Sequence, residues 1–198
     1  MRKMMLALAA AVAVCALGAQ AASAEWYDKG TALKSGENPT LEATGTVAFT
    51  SSSGGVHCNT GTSKLQFTGG TTDGHVLTFG VEEASKCEVS GGLVLLTGGT
   101  TTLKGVTLTG MPTDKNDGNH EKIEISGVTL DNEFNNGFKL TLSSITGSPL
   151  IATPNNTTSI SSATLAGELN STLAAGKVKV SGTLNVLAPN AGTYGLVS

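Results

Sequence analysis

The sequence predicts an all-β protein, an antiparallel β-sandwich of immunoglobulin-like or jelly-roll type with one disulfide. Three observations support this. Short segments alternate apolar and polar residues with a period of two. Turn signals separate these segments about every eight to twelve residues. The chain also holds 28 threonines and 26 glycines, types that favour strands and the turns between them.

The alternating segments run along most of the chain after residue 40 and predict a sandwich of about ten strands. They cover residues 41–50, 63–68, 76–81, 93–97, 102–109, 123–130, 138–142 and 178–186. Turns are predicted at 71–74, at Asp117-Gly118 and at 135–137. Glycines within the segments, such as Gly127 and Gly182, indicate bulges or bends.

Two features leave alternatives open. Residues 163–177 place Leu165, Leu169 and Leu173 at four-residue spacing, which fits a short helix as well as a strand. The motif at Gly105 (GVTLTG) has loose echoes at Ser126 and Ser181. Such echoes are typical of a β-solenoid, but their spacings are unequal. The solenoid is therefore the alternative to the sandwich.

The amino-terminal residues have the form of a cleavable secretory signal. Arg2 and Lys3 precede an apolar run over 4–18, and Ala22-Ser23-Ala24 offers a small-residue cleavage site. The run is too short to span a membrane, which takes about 20 residues. Cys15 lies inside the run rather than at its end, so a lipid anchor is not expected. The predicted organisation is a signal peptide at 1–24, an irregular lead at 25–40 and a single β-sandwich domain at 41–198.

Composition disfavours several classes of function. Loss of Arg2 and Lys3 with the signal leaves ten basic residues against fifteen acidic ones. Without a basic patch, nucleic-acid binding is disfavoured. Aromatic residues are 4% and charged residues 14% of the chain. Active sites and small-molecule sites tend to use such residues, so their scarcity disfavours an enzyme. Neither a nucleophile elbow nor a phosphate-binding loop motif occurs. We expect no enzyme activity and no cofactor.

The predicted mature chain keeps two cysteines, Cys58 and Cys87. In an oxidising compartment an isolated pair is typical of a structural disulfide. A redox-active pair usually has C-x-x-C spacing, and a metal site needs further ligands at ordered spacing; both patterns are absent.

The most polar cluster is residues 114–121. Asp114, Asn116 and Asp117 could ligate calcium, but Gly118 falls one position early for an EF-hand loop. A solvated hairpin tip is the alternative. The three histidines, at 57, 75 and 120, have no zinc-ligand spacing. No metal is therefore expected, apart from a calcium loop of another kind.

Two resemblances can be read from the residues. An Ala-rich signal is followed by GTVAFTSSSGGVHCN, a strand ending at Phe67, ASKCEVSGG and Thr/Ser/Gly-rich strands. In these features the chain resembles the small exported bacterial proteins grouped with PraB, the alkane oxidation activator. The resemblance implies an extracellular or cell-surface protein that aids surface or hydrophobic-substrate interaction without catalysis. The chain is also similar to fimbrial subunits in its Gly45–Phe49 strand before a first cysteine, its Cys58 and Cys87 pair, and Tyr194.

The sequence therefore predicts a secreted, non-enzymatic protein with a structural or adhesive role at the cell surface or in the extracellular matrix. Its expected partners are itself or other cell-surface components, with no nucleic acid and no membrane span. One alternative is a polymerising fimbrial-type subunit, which lends a terminal strand to its neighbour. The other is a carbohydrate- or calcium-binding module, which needs aromatic residues or carboxylates gathered at one edge; the small supply of aromatic residues, Trp26, Tyr27 and Tyr194, argues against it.

Overall fold

The computed structural model of the protein describes residues 25–52, 54–78, 87–91, 99–104, 107–111, 121–134, 139–172 and 176–197. These ranges contain fifteen β-strands and no helix. Every strand pairing among them is antiparallel. The predicted all-β antiparallel class is thus confirmed. A solenoid would stack parallel coils, so that alternative is wrong.

The strands form two sheets. A small terminal sheet joins both ends of the described chain and consists of β1 (Glu25–Asp28), β2 (Thr31–Ala32) and β15 (Tyr194–Val197). The main sheet consists of β3 (Thr40–Ser51), β4 (Gly54–Phe67), β5 (Asp73–Thr78), β6 (Cys87–Gly91), β7 (Gly99–Lys104), β8 (Thr107–Met111), β9 (Lys122–Ser126), β10 (Thr129–Phe134), β11 (Lys139–Ser144), β12 (Leu150–Pro154), β13 (Ser162–Ser171) and β14 (Gly176–Val186).

The main sheet curls until it meets itself. Its order is β12-β9-β8-β5-β4-β3-β14-β13-β11-β10-β7, and β12 also pairs with β13. Eight strands from β12 to β13 therefore make a closed circuit. The long strands allow this because one part of β13 pairs with β12 and the other part with β11. In the same way β4 pairs with β5 through one half and with β6 through the other. The flanks of the curled sheet face each other, as in the predicted sandwich.

Every second side chain along the strands points inward, and these side chains fill the space between the flanks. Val47, Leu142, Leu169 and Val180 are at most 1% exposed, while their neighbours in sequence face outward. Burying such side chains stabilises the fold by about 1.5–3 kcal/mol each. The core is continuous with the terminal sheet through Trp26.

Residues 163–177 show why a spacing of four was ambiguous. Residues 162–171 form strand β13, in which Leu165 and Leu169 are both buried. Gly167 lies between them on the same face, and a Cβ there would come within 2.7 Å of the Leu150 side chain. Leu150 thus occupies the space that a third side chain would need, which leaves leucines only at every fourth position.

The predicted irregular lead at 25–40 is wrong in part. Residues 25–28 and 31–32 are strands joined by a turn at 29–30, and Thr40 begins β3; residues 33–39 lie outside the strands. The prediction failed because β1 is four residues long, too short to show a period. Its partner β15 also lies at the other end of the chain.

Candidate functional site

The terminal sheet presents one face to the core. Lys29 and Gly30 both have positive φ, 47° and 80°, which is the conformation of a tight two-residue hairpin turn between β1 and β2. In the register of β1 and β15, Trp26 pairs with Leu196 and Asp28 pairs with Tyr194. These four side chains share a face because side chains alternate along each strand.

An aromatic cluster anchors this face. The rings of Trp26 and Phe67 stack with centroids 4.0 Å apart, and Tyr194 meets Phe67 edge-on at 5.7 Å. The indole N–H of Trp26 donates a hydrogen bond of 3.0 Å to the carbonyl oxygen of Asp73. Trp26 and Leu196 are fully buried. Trp26 therefore has no free face for a sugar ring, and the cluster gives the carbohydrate alternative no support.

Tyr194 lies at the rim of the cluster. Burial raises the pKa of its phenol above the ordinary value of 10.0, and the negative charge of Asp28 raises the pKa further. Both causes favour the neutral phenol. The hydroxyl is consequently held as a neutral group over a wide pH range, in keeping with a structural role.

Two spaces lined by described residues bear on the question of a ligand pocket. A surface groove of about 520 Å³ lies beside the β1–β2 hairpin. Its lining combines apolar residues with charged residues of both signs, namely Asp28, Lys29 and Glu37. Glu37 uses one carboxylate oxygen to accept a 2.7 Å hydrogen bond from the Lys34 backbone N–H. This bond belongs to the local turn and prepares no ligand site.

The second space is a cavity of about 50 Å³ inside the closed circuit. All of its lining side chains are apolar, and they are Leu41, Ala43, Leu65, Phe67, Ile123, Ile125, Ala152, Ile160, Ala163, Leu184 and Val186. Pockets that bind drug-sized ligands have volumes of about 300–1,000 Å³. The cavity is therefore a packing void rather than a substrate pocket.

The two cysteines are directly opposite each other in neighbouring strands. Cys58 of β4 is the register partner of Cys87 of β6. Opposed residues of antiparallel strands have Cα atoms about 4.5–5.5 Å apart, within the range of about 4.4–6.8 Å that a disulfide spans. The backbone thus places this pair where the predicted disulfide needs it, and the bond itself stays a prediction.

The other residues predicted to carry chemistry are not brought together. His57 and His75 are exposed and pair with different residues. Asp114, Asn116, Asp117 and His120 lie outside the described residues. Within the described ranges there is no group of three or more His, Cys, Asp or Glu side chains that could hold a metal ion.

The outer face of the main sheet carries a feature that the sequence did not reveal. A row of directly paired, uncharged polar residues crosses five adjacent strands, and we call it the threonine row. It consists of Thr153, Thr164, Thr183, Thr46 and Asn59. Thr164, Thr183 and Asn59 are exposed, and the other two are half-buried.

A second row beside it contains no Asp, Glu, Lys or Arg, with Ala166, Ser181, Ala48 and His57 at paired positions. Ion pairs lie further along the same strands: Lys177 is 3.1 Å from Glu168, and Lys64 is 2.8 Å from Glu42. In the sequence, the threonine row is visible only as a threonine that directly precedes or follows an apolar residue in several of the alternating segments. Register alone shows that these threonines form one line.

Comparison of the chain with known protein families, curated proteins and solved structures gives no match. In the part of the chain that the structure describes, no helix is long and apolar enough to cross a membrane. The fold and the residues themselves therefore carry the functional argument.

Proposed function

We propose that this is a secreted, non-enzymatic protein with a structural or adhesive role at the cell surface or in the extracellular matrix. The observation that carries the proposal is the threonine row together with the second row beside it. Together they form a polar contact face on the five strands β12, β13, β14, β3 and β4.

Such a face is physically suited to contact with a large partner surface. Neighbouring strands are about 4.8 Å apart, so the row offers hydroxyl and amide groups at a regular spacing. Burying uncharged hydroxyls against polar partners costs much less desolvation free energy than burying charges. The partners we propose are further copies of the chain or other cell-surface components. The resemblance to the PraB group adds a role in surface or hydrophobic-substrate interaction.

The proposal is tested by measuring how protein 25–198 binds to bacterial envelope fragments and to hydrophilic and hydrophobic beads. A variant combining Thr46→Lys, Thr164→Lys and Thr183→Lys places three charges in the threonine row. We expect it to bind at least about tenfold more weakly, a change of about 1.4 kcal/mol.

The matched control combines Thr31→Lys, Ser35→Lys and Asn38→Lys, which adds the same charge at exposed positions near the terminal sheet. It should bind like the parent. Equal loss in both variants would assign the effect to net charge, and no loss in the first would remove the contact face from the proposal.

One observation favours the fimbrial-type alternative. Among the described pairings, β1 pairs only with β15 and β2, so exchanging β1 between two copies would break no pairing of the main sheet. Light scattering after size-exclusion chromatography distinguishes the two roles. Discrete monomers of 25–198 would exclude polymerisation as an intrinsic property, and ordered filaments would identify a polymerising subunit.

A further inference from the structure

The first strand of the fold begins at the residue that follows the predicted cleavage site. The small-residue site is Ala22-Ser23-Ala24, and β1 starts at Glu25. Glu25 pairs with Val197, and Trp26 pairs with Leu196. In the folded protein, the two residues after the bond to be cut are therefore held within a sheet, and the second is fully buried.

We infer that the signal segment is removed before β1 docks on β15 and the core. This inference rests on the proposed secretion. In the cleavage step, water adds to the carbonyl carbon of Ala24 and the bond to the Glu25 nitrogen breaks. Ala24 leaves with a carboxylate, and Glu25 gains a free amino group.

The backbone of β1 cannot form its hydrogen bonds in the terminal sheet and bind in the active site of a peptidase at the same time. Proteases cut segments whose backbone is exposed and free of hydrogen bonds, and bound peptides commonly lie in an extended, strand-like form. In the fold, the carbonyl oxygen of Trp26 accepts a 2.8 Å hydrogen bond from the Leu33 N–H, and the Lys29 N–H donates a 2.8 Å bond to Thr193. The indole of Trp26 is also fixed between Phe67 and Asp73. Cleavage of a folded precursor therefore requires β1 to detach.

The order of the strands keeps the bond accessible during export. The partner of β1 is β15, residues 194–197, which follow all the other described strands in the chain. A chain that crosses amino terminus first exposes Glu25 long before Tyr194 arrives. The terminal sheet cannot form in that interval, so the peptidase acts on an extended segment.

The test uses the full chain 1–198 and a purified bacterial signal peptidase in detergent. One sample is diluted from denaturant directly into the peptidase, and a second is refolded first, with refolding checked by circular dichroism. Because cleavage of a folded chain follows the population of its open form, we expect the refolded precursor to be cut at least about a hundredfold more slowly.

Two refolded variants and a control identify the cause of the protection. A short Gly-Ser linker between Ala24 and Glu25 moves the bond away from β1 and should restore rapid cleavage. Trp26→Ala should also speed cleavage, whereas Tyr27→Ala should have a smaller effect because Trp26 and Asp28 provide the face that meets the core.

Each other outcome has a distinct meaning. Equal cleavage of refolded and freshly diluted precursor would overturn the inferred order. Protection that persists in the linker variant would show that β1 is not its cause and would likewise overturn the inference. A freshly diluted precursor that is not cut after Ala24 would instead contradict the signal peptide, and with it the proposed secretion.

Discussion

Replacing Trp26 with alanine tests the claim that the terminal sheet is an integral part of the fold. Trp26 is fully buried, stacks on Phe67 at 4.0 Å and donates a hydrogen bond to Asp73. Truncating a buried tryptophan to alanine costs about 3–5 kcal/mol of unfolding free energy. For a chain of this length, each kcal/mol lowers Tm by about 2–4 °C. We expect Trp26→Ala to lower Tm by about 6–20 °C.

The assay is urea unfolding of protein 25–198. Trp26 is the only tryptophan, so its fluorescence reports on the terminal sheet, while circular dichroism reports on all strands. In the parent protein the two transitions should coincide, because the terminal sheet shares the core. The variant lacks the fluorophore and is followed by circular dichroism alone.

Two variants serve as controls. Trp26→Phe keeps an aromatic ring against Phe67 and should lose less stability than Trp26→Ala. Tyr27→Ala alters the other face of β1 and should cost about 1 kcal/mol or less. A Trp26→Ala protein within 1 kcal/mol of the parent would refute the reasoning, as would a fluorescence transition well before the circular dichroism transition.

Three further predictions concern Tyr194, the apolar cavity and the cysteines. Folding raises the pKa of the Tyr194 phenol above its ordinary value of 10.0. The contribution of this phenol to the free energy of unfolding is therefore complete below pH 10 and is lost as the pH rises through the folded-state pKa. Tyr194→Phe should reduce the loss of stability at alkaline pH in urea titrations, and an unchanged pH profile would contradict the prediction. Ala152→Val should fill the cavity of about 50 Å³ and add up to about 1.2 kcal/mol to the free energy of unfolding, at ~24 cal/mol per Å³. The control Ala166→Val, at an exposed position of β13, measures the effect of strand propensity alone. An equal gain in both variants would exclude cavity filling as the cause. Reducing the predicted Cys58–Cys87 disulfide opens a loop of about 30 residues, worth roughly 3.6 kcal/mol, and should lower Tm by about 7–14 °C. The Tm of a double Cys→Ala variant should not change on addition of the reductant. Two reactive thiols in the native protein would disprove the bond.

Local patterns in the sequence predicted many of the strands because one face of each is buried. Leu41, Val47 and Phe49 lie within β3, and Val178 and Val180 lie within β14, as the alternation indicated. The turn predicted at 71–74 lies slightly earlier, because Asp73 and Gly74 already belong to β5. The connection over 68–72 is closed by the Thr71 hydroxyl, which donates to the Thr68 carbonyl oxygen and accepts from the Asp73 N–H.

Glycine positions marked the closest contact between strands. A Cβ at Gly182 would lie 2.2 Å from the carbonyl oxygen of Thr46, and one at Gly45 would lie 1.8 Å from that of Thr183. The sequence predicted a bend or bulge near Gly182, and the structure adds the reason, since β3 and β14 approach too closely there for any side chain.

Strand order and register could not be predicted, because they depend on contacts between distant parts of the chain. The hairpin of β1 and β2 lies in a segment that the sequence predicted to be irregular, and nothing near it pointed to β15. The threonine row is the clearest example. Thr46, Thr164 and Thr183 belong to three separate segments, and only the register of β13, β14 and β3 aligns them.

The most direct test of the central claim, that this protein works outside the cell, is to express the full chain in a bacterial host and to measure its intact mass in each cell fraction. We predict a product beginning at Glu25 in the medium or on the cell surface, where added protease reaches it. A full-length chain retained in the cytoplasm would contradict the account.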